Sequence, residues 1–421
     1  MAEYVDALWP GASNGATRAE RRPCAYRAYV PDPLTGRPLT LTAQRSADIA
    51  DVERQILALN ASEQTLVGPE ALARLLLRAE AVASSFIEGL RINVRRLAKA
   101  DIAEKTGLGE YDATARAVLG NVRAMESALE LGDKADIRVD DITELHRRLL
   151  AGTRDEQWGG VIRTEQNWVG GGGMTPCTAE FVPPPPDRVP RLLEDLCTYV
   201  TGDDHPALVQ AALVHAQFET IHPFADGNGR TGRALIHLIL RRRGIAPRFV
   251  PPLSLILASH ADAYIAGLTS SRYAGPADSA DAQESMGIWI DRFAADTARA
   301  CADTERFREE LDVLEAAWRR RLGRVRANSS VDLLLRALPS VPVLTVSTAA
   351  ELIGRSVQRA NDATNKLVAA GVLKQTTIGR RNRAFEVPEL VNALTGFERA
   401  LASPIGDTRQ APPTRPVPYR P

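Results

Sequence analysis

The sequence predicts an all-α body with a short β-hairpin flap, followed by a small winged helix-turn-helix unit. Three observations predict it. Apolar residues recur at helical spacing over most of residues 46–327, as in "GPEALARLLLRAEAVASSFIEGL". One stretch, "RTEQNWVGGGGMTPCTAEFVPPPP", breaks that rhythm with β-type residues on both sides of four glycines, which reads as a hairpin or flap. Beyond residue 328 a short helix, a turn at Gly354, a second helix and a hairpin with Gly379 at its tip follow one another, the layout of a winged helix-turn-helix.

In chain order, residues 1–40 are rich in Pro, Gly, Arg and Thr and read as an extended arm. Residues 41–104 form an N-terminal helical segment. Its strongest helix carries Leu72, Leu75, Leu76, Ala79, Val82, Ala83 and Phe86 on one face, with Pro69 in the first turn and Gly89 as terminal cap. Residues 105–300 form the main body. There "HPALVQAALVHAQFETI" is apolar nearly all round, so it should be a buried central helix, with "RTGRALIHLILRRRG" as its partner. Tyr264 and Trp289 read as core. Residues 301–327 read as a linker helix, 328–396 as the winged unit and 397–421 as a Pro-rich disordered tail.

The charge balance, 52 acidic against 52 basic residues, gives no global field that would attract nucleic acid or an anionic membrane. No apolar run approaches the ~20 residues that span a bilayer, and no basic-then-apolar leader opens the chain. Cys24, Cys177, Cys197 and Cys301 are scattered and form no CxxC pair, which argues against a disulfide framework or zinc knuckle. A cytoplasmic protein without membrane contact is expected.

The chemistry gathers in "IHPFADGNGRTGR", Ile221–Arg233. Two half-matches fail. Gly227-x-Gly229-x-x-Gly232 fits a dinucleotide fingerprint, but a buried helix precedes it where a strand is needed, and no acid follows until Asp262. His215, Glu219 and His222 could form a metal stripe on one helix face, but that leaves Asp226 and the arginines without a role. The stretch reads instead as helix, loop, helix. The second helix's N-terminus offers free N–H groups and a positive dipole end, an anion site. Gly227 and Gly229 let backbone approach a phosphate, while Arg230 and Arg233, at i and i+3, reach toward one ligand. Asp226 beside phosphates implies an intervening Mg²⁺, and His222 can serve as a base near neutral pH.

His222-Pro223-Phe224-Ala225-Asp226-Gly227-Asn228-Gly229-Arg230-Thr231-Gly232-Arg233 resembles the complete signature of the Fic family, HPFx(D/E)GNGRxxR. "GVIRTEQNWVGG", "VPPPPDRV", "HAQFETIHPF" and "DAYIAGL" resemble the surrounding Fic body, so the likeness covers about residues 40–300. The resemblance implies a Fic helical bundle that transfers AMP from ATP to a Tyr, Thr or Ser hydroxyl of a target protein or of itself. It implies that His222 is the base and Phe224 the loop's anchor. Asp226 holds Mg²⁺, and Gly227, Asn228, Gly229, Arg230, Thr231, Gly232 and Arg233 bind the nucleotide. The flap would register the target by strand pairing.

A second likeness checks the first. "SSFIEG", Ser84–Gly89, places Glu88 at a helix C-terminus, where the dipole disfavours an acid by ~0.3–1 kcal/mol. Ser84, Glu88 and Gly89 resemble the family's inhibitory (S/T)xxxE(G/N) motif, which implies an ion pair from Glu88 to Arg233 and an autoinhibited enzyme. The same glutamate serves AMP removal in some relatives, so the direction stays open. From Val341 to Leu390 the winged unit carries three more basic than acidic residues. Ser356, Gln358, Arg359 and Asn361 lie near the start of its recognition helix and Arg380-Arg381 at the wing, which suits DNA; protein contact or homodimer formation remains the alternative.

Overall fold

The computed structural model describes residues 1–12, 17–18, 20–61, 68–107, 110–171, 175–378 and 382–401. In chain order these are strands β1 (Glu3–Trp9) and β2 (Cys24–Val30), then helices α1 (Ala43–Ala61), α2 (Pro69–Ile87), α3 (Val94–Thr106), α4 (Ala113–Leu131) and α5 (Val139–Leu150). Next come α6 (Val189–Thr201), α7 (Ala207–Ile221), α8 (Asn228–Arg242), α9 (Leu253–Ser259), α10 (Ala261–Ser270) and α11 (Ala280–Leu322). The remainder is α12 (Ser330–Ala337), β3 (Val343–Leu344), α13 (Val346–Ile353), α14 (Val357–Ala369), β4 (Lys374–Ile378), β5 (Asn382–Glu386) and α15 (Pro388–Leu401). Helix dominates, as the periodicity predicts.

Two compact units are each discontinuous in sequence, cutting across the contiguous segments read from the chain. One comprises Met1–Asn60, Leu119–Val250 and Ala263–Ala298, the other Ala61–Val118, Pro251–Asp262 and Arg299–Pro421. Among the described residues no helix is long and apolar enough to cross a membrane.

The first unit is built around α7 and α8. Every residue of α7 except Glu219 is buried, and so is α8 from Asn228 to Leu240. A helix that is apolar all round must be covered on every side; α6 packs on α7 and α5 on α8. Trp289 is fully buried and donates its indole N–H to Ala212 O at 2.8 Å, and Tyr264 is buried with its hydroxyl 2.8 Å from His215 Nε2. Both are core, as expected.

The N-terminal arm is not merely extended. β1 and β2 pair antiparallel in register from Glu3↔Val30 to Trp9↔Cys24. The period-2 pattern is present: Val5, Ala7 and Trp9 turn inward while Tyr4, Asp6 and Leu8 face solvent. Two large residues, Tyr4 and Leu8, on the outer face hide it from a reading by hydrophobicity. The cysteine expectation also needs correction. Cys24 opens β2 opposite a 3-10 turn at Pro176–Thr178, and it pairs with Cys177 as a disulfide with Cα atoms 6.2 Å apart. A sequence separation of 153 residues concealed that proximity. Cys197 and Cys301 are buried free thiols. The cytoplasmic expectation rested in part on unpaired cysteines and loses that part of its support.

The second unit pairs α2 with α9. Glu80 lies inside the apolar face of α2, 1% exposed, and its carboxylate accepts from Ser254 N at 2.7 Å and Ser254 Oγ at 2.5 Å. It thereby satisfies the open N-terminal end of α9. Phe86, expected on the buried face, is 44% exposed. Ala98 and Ile102 of α3 pack on Val343, Ile378 and Ala384 of the sheet, whose strand order is β3-β5-β4. Thr345 caps α13, Gly354 ends it with φ 59°, and Ser356 caps α14. Helix α15 runs to Leu401, so order extends past the expected tail boundary at 397; Phe397 is buried and stacks on Phe307 with ring centroids 4.3 Å apart. Gly379, Arg380, Arg381 and the tail from Ser403 lie outside the described residues.

Candidate active site

The turn between α7 and α8 positions the site. His222 caps α7 in the left-handed conformation, φ 49° and ψ 60°. That geometry turns the side chain off the helix face, so it cannot complete a His215–Glu219–His222 stripe. Among the described residues no group of three His, Cys, Asp or Glu could hold a metal. His222 Nδ1 lies 3.4 Å from Glu219 O. A carbonyl can only accept, so this contact places the proton on Nδ1 and leaves the lone pair on Nε2, the arrangement of a base.

Phe224 is fully buried between His146, stacked 3.7 Å away at 2°, and Phe218. Its truncation to alanine should cost about 3–5 kcal/mol, so the turn is anchored as the motif implies. Asn228 closes the turn: its Oδ1 accepts from Phe224 N at 2.9 Å and its Nδ2 donates to Phe224 O at 2.8 Å. Both polar atoms of Asn228 therefore act on the loop itself.

Helix α8 starts at Asn228, two residues before the Arg230 that opens the helical stretch read from sequence. Gly227 is its N-cap at φ 78°, with no side chain to cap the first turn. The amides of that turn are left for an external acceptor. A Cβ on Gly227 would sit 3.0 Å from Leu149 Cδ2 and 3.1 Å from His146 Nε2, so both φ and space require glycine. At Gly232 a Cβ would meet Glu219 Oε1 at 2.7 Å and Phe218 Cδ1 at 3.0 Å. This glycine faces α7 and permits close helix packing.

Arg230 and Arg233 are 4% and 1% exposed. Burying a guanidinium requires compensating acceptors. Arg230 Nη2 donates to Asp226 Oδ2 at 2.9 Å, yet Arg230 Nε and Thr231 Oγ1 are buried with no hydrogen-bond partner among the described residues. Asp226 itself is 57% exposed and reaches solvent beside the α8 N-terminus. The arrangement has the chemistry of an anion cradle, with a carboxylate at its rim.

Four residues that the sequence reading missed hold this turn. His146, on α5, accepts from Gly160 N at Nδ1 (2.9 Å), so its Nε2 carries the proton and donates to Asp226 O at 2.8 Å. Burial pushes its pKa down to about 4, which keeps it neutral. Arg163 is 7% exposed, and burial lowers its pKa to about 10. Asn167 stands on the same flap segment as Arg163. Arg272 lies 3.5 Å over the Phe181 ring and bonds Thr220 Oγ1 at 3.4 Å. Among the described residues the flap is slighter than the expected hairpin, with one bridge, Val169↔Phe181. Gly172, Gly173 and Met174 lie outside the described residues. At its return end Tyr29 N of β2 donates to Val182 O at 2.9 Å.

At the end of α2, Leu90 N donates to Ser85 O and Gly89 N to Phe86 O, a Schellman closure. Ser84 is buried and Glu88 is an exposed residue at the cap.

The turn thus brings a histidine, two buried arginines at a helix N-terminus and a rim carboxylate together, a set with the chemistry to hold a phosphorylated ligand. The Fic/DOC family matches residues 136–240, and the Fic/DOC family N-terminal domain matches 47–130. Over these residues the chain is similar to the Fic/DOC family. It is 35% identical over 133 residues to protein adenylyltransferase fic-1 of Caenorhabditis briggsae, covering 31% of this chain and 24% of that protein. It is 32% identical over 224 residues to protein adenylyltransferase Fic of Drosophila virilis, covering 49% and 44%. The chain thus spans less than half the length of these relatives. A crystal structure of a Fic family protein from Desulfovibrio desulfuricans G20 aligns over 83% of this chain and 97% of that one, at 22% identity and TM-score 0.49. Fic-1 from C. elegans aligns over 62% and 72%, at 22% identity and TM-score 0.46.

Proposed function

We propose that this chain transfers AMP from ATP to a hydroxyl of a target protein, itself included. The observation that carries the reading is the buried Arg230, with Nε unpaired, at an uncapped helix N-terminus directly after a histidine whose lone pair is on Nε2. The hydroxyl oxygen bonds to the α-phosphorus as His222 Nε2 takes its proton. The bond from that phosphorus to the bridging oxygen breaks, and pyrophosphate leaves. The α8 amides and Arg230 and Arg233 offset the charge on the phosphates, the largest contribution expected in such a site.

Magnesium fits the residues present. Asp226 offers one half-exposed carboxylate at the phosphate rim, and Mg²⁺ takes one or two carboxylates plus phosphate oxygens. When bound it neutralises phosphate charge. Ser84, Glu88 and Gly89 are the proposed inhibitory group: by resemblance, Glu88 takes the γ-phosphate's place on Arg233 and holds the resting enzyme off.

The test is incubation of wild type, Glu88→Gly and Glu88→Gly/His222→Ala with labelled ATP and Mg²⁺. Label on protein from Glu88→Gly alone supports both transfer and inhibition. Absence of label on every variant, with ATP still bound, overturns transfer and favours AMP removal.

A second reading has its own observation. Arg355, Ser356, Val357, Gln358 and Arg359 form an exposed run at the start of α14, with Asn365 and Lys366 exposed further along it. This face suits a DNA groove, and α13–α14 with β3-β5-β4 would be a winged helix used for it. Salt-insensitive or absent DNA association would sink that reading.

A further inference from the structure

The end of α7 poses an accounting problem. Ile221, His222, Pro223 and Phe224 present four consecutive carbonyls at a helix C-terminus, where intrahelical donors run out. All four are met from one short segment of the flap. Arg163 Nη2 donates to Ile221 O at 3.3 Å, Arg163 Nε to His222 O at 2.8 Å, and Arg163 N to Pro223 O at 2.9 Å. Asn167 Nδ2 donates to His222 O at 3.2 Å and to Phe224 O at 3.1 Å. The same Arg163 reaches the other flap arm, with Nη2 on Pro184 O at 2.6 Å, and it holds its own arm through Glu165 O at 3.1 Å.

We propose that Arg163 and Asn167 are positioning residues: together they lock the His222 carbonyl and so fix the direction in which its imidazole leaves the backbone. His222 is one of two non-glycine residues with positive φ among those described. A side-chain-bearing residue keeps that conformation only when its surroundings over-determine it. Its carbonyl is the point where two independent donors converge. Without them the peptide plane after His222 can rotate, and the imidazole swings with it. The guanidinium also places a fixed cation against the negative end of α7.

One consequence is that the flap arm and the base form a single hydrogen-bonded unit. A target seated on the flap is then registered against Nε2 by the same two residues. Misplacing a reacting group by about 1 Å can cost 10²-fold in rate without altering substrate binding.

This inference rests on the AMP-transfer reading, so the test starts from Glu88→Gly as parent. Into it are placed Arg163→Lys, which keeps the cation but loses the fork, and Asn167→Leu, which keeps the shape but loses the donor. Expected are ATP affinity within about threefold of the parent and kcat lower by ~10-fold for Asn167→Leu and ~100-fold for Arg163→Lys. Unchanged kcat in both, or kcat lost only in step with ATP affinity and thermal stability, overturns the positioning role. If Arg163→Lys fails to fold, Asn167→Leu decides alone. If the parent transfers no AMP, the functional reading falls and the clamp is judged by ¹⁵N NMR of His222. A single imidazole environment in the parent that averages in Asn167→Leu supports it, and an unchanged signal overturns it.

Discussion

Two helix–turn–helix segments in this chain look alike on paper and behave as opposites. In both, a residue at positive φ lies in the turn, and two arginines three or four positions apart lie at or next to the start of the second helix: Arg230 and Arg233 on α8, Arg355 and Arg359 beside and on α14. The first pair is buried to within a few per cent, and the second is exposed. A cation excluded from water must be compensated by something specific, whereas a solvated one is a diffuse attraction. The buried pair therefore suits the single-ligand site proposed for α8, and the exposed pair the polyanion surface proposed for α14.

The largest expected effect tests the buried turn. His222→Ala in the Glu88→Gly background should lower AMP transfer by ~10²–10⁴-fold, the usual worth of a general base, while labelled-ATP binding persists. Survival of transfer would remove His222 from the chemistry. Arg230→Ala should weaken ATP by about 1.5–3 kcal/mol, the worth of a charge-assisted bond, measurable by calorimetry. An Arg355→Ala variant should leave that affinity untouched, and equal losses from both would erase the distinction drawn between the pairs.

Acid is the next probe. All six histidines lie between residues 146 and 260, and residues 330–401 contain none. Burial holds His146 near pKa 4 and His215 near 3, below the unfolded value of about 6.5. In that window the unfolded chain binds the extra protons. Stability is therefore full above pH ~6.5 and falls as pH drops, by up to ~1.4 kcal/mol per unit per histidine. Urea midpoints between pH 6.5 and 5 should decline for the wild type and decline less for His146→Gln. The smallest effect belongs to the exposed face: Arg355→Ala should change stability by under ~0.5 kcal/mol and, if the face binds DNA, reduce the salt slope by about one.

How much of this was legible follows from the kind of contact involved. The α7–α8 pair and its turn could be read because side-chain type carries the signal: apolar all round, then His, Asp, glycines and arginines in fixed order. His146, Arg163 and Asn167 could not, because they act on backbone carbonyls and amides. A carbonyl has no residue identity, so its partner leaves no complementary letter elsewhere in the chain. The disulfide was hidden for another reason, since 153 residues intervene between Cys24 and Cys177. The β1–β2 hairpin was hidden by Tyr4 and Leu8 facing outward. The motif assigns Asn228 to the nucleotide; in the folded turn its side-chain amide also closes the loop on Phe224, a role that only hydrogen-bond geometry reveals.

The left-handed backbone at His222 has a consequence for choosing a silent control. Alanine there removes the imidazole and also places an unassisted Cβ in a conformation that costs roughly 1–2 kcal/mol. A fall in activity would then mix lost chemistry with a loosened turn. Asparagine tolerates that backbone region far better. His222→Asn should thus be the cleaner inert twin of this protein, with a melting temperature close to the parent's and the imidazole base gone.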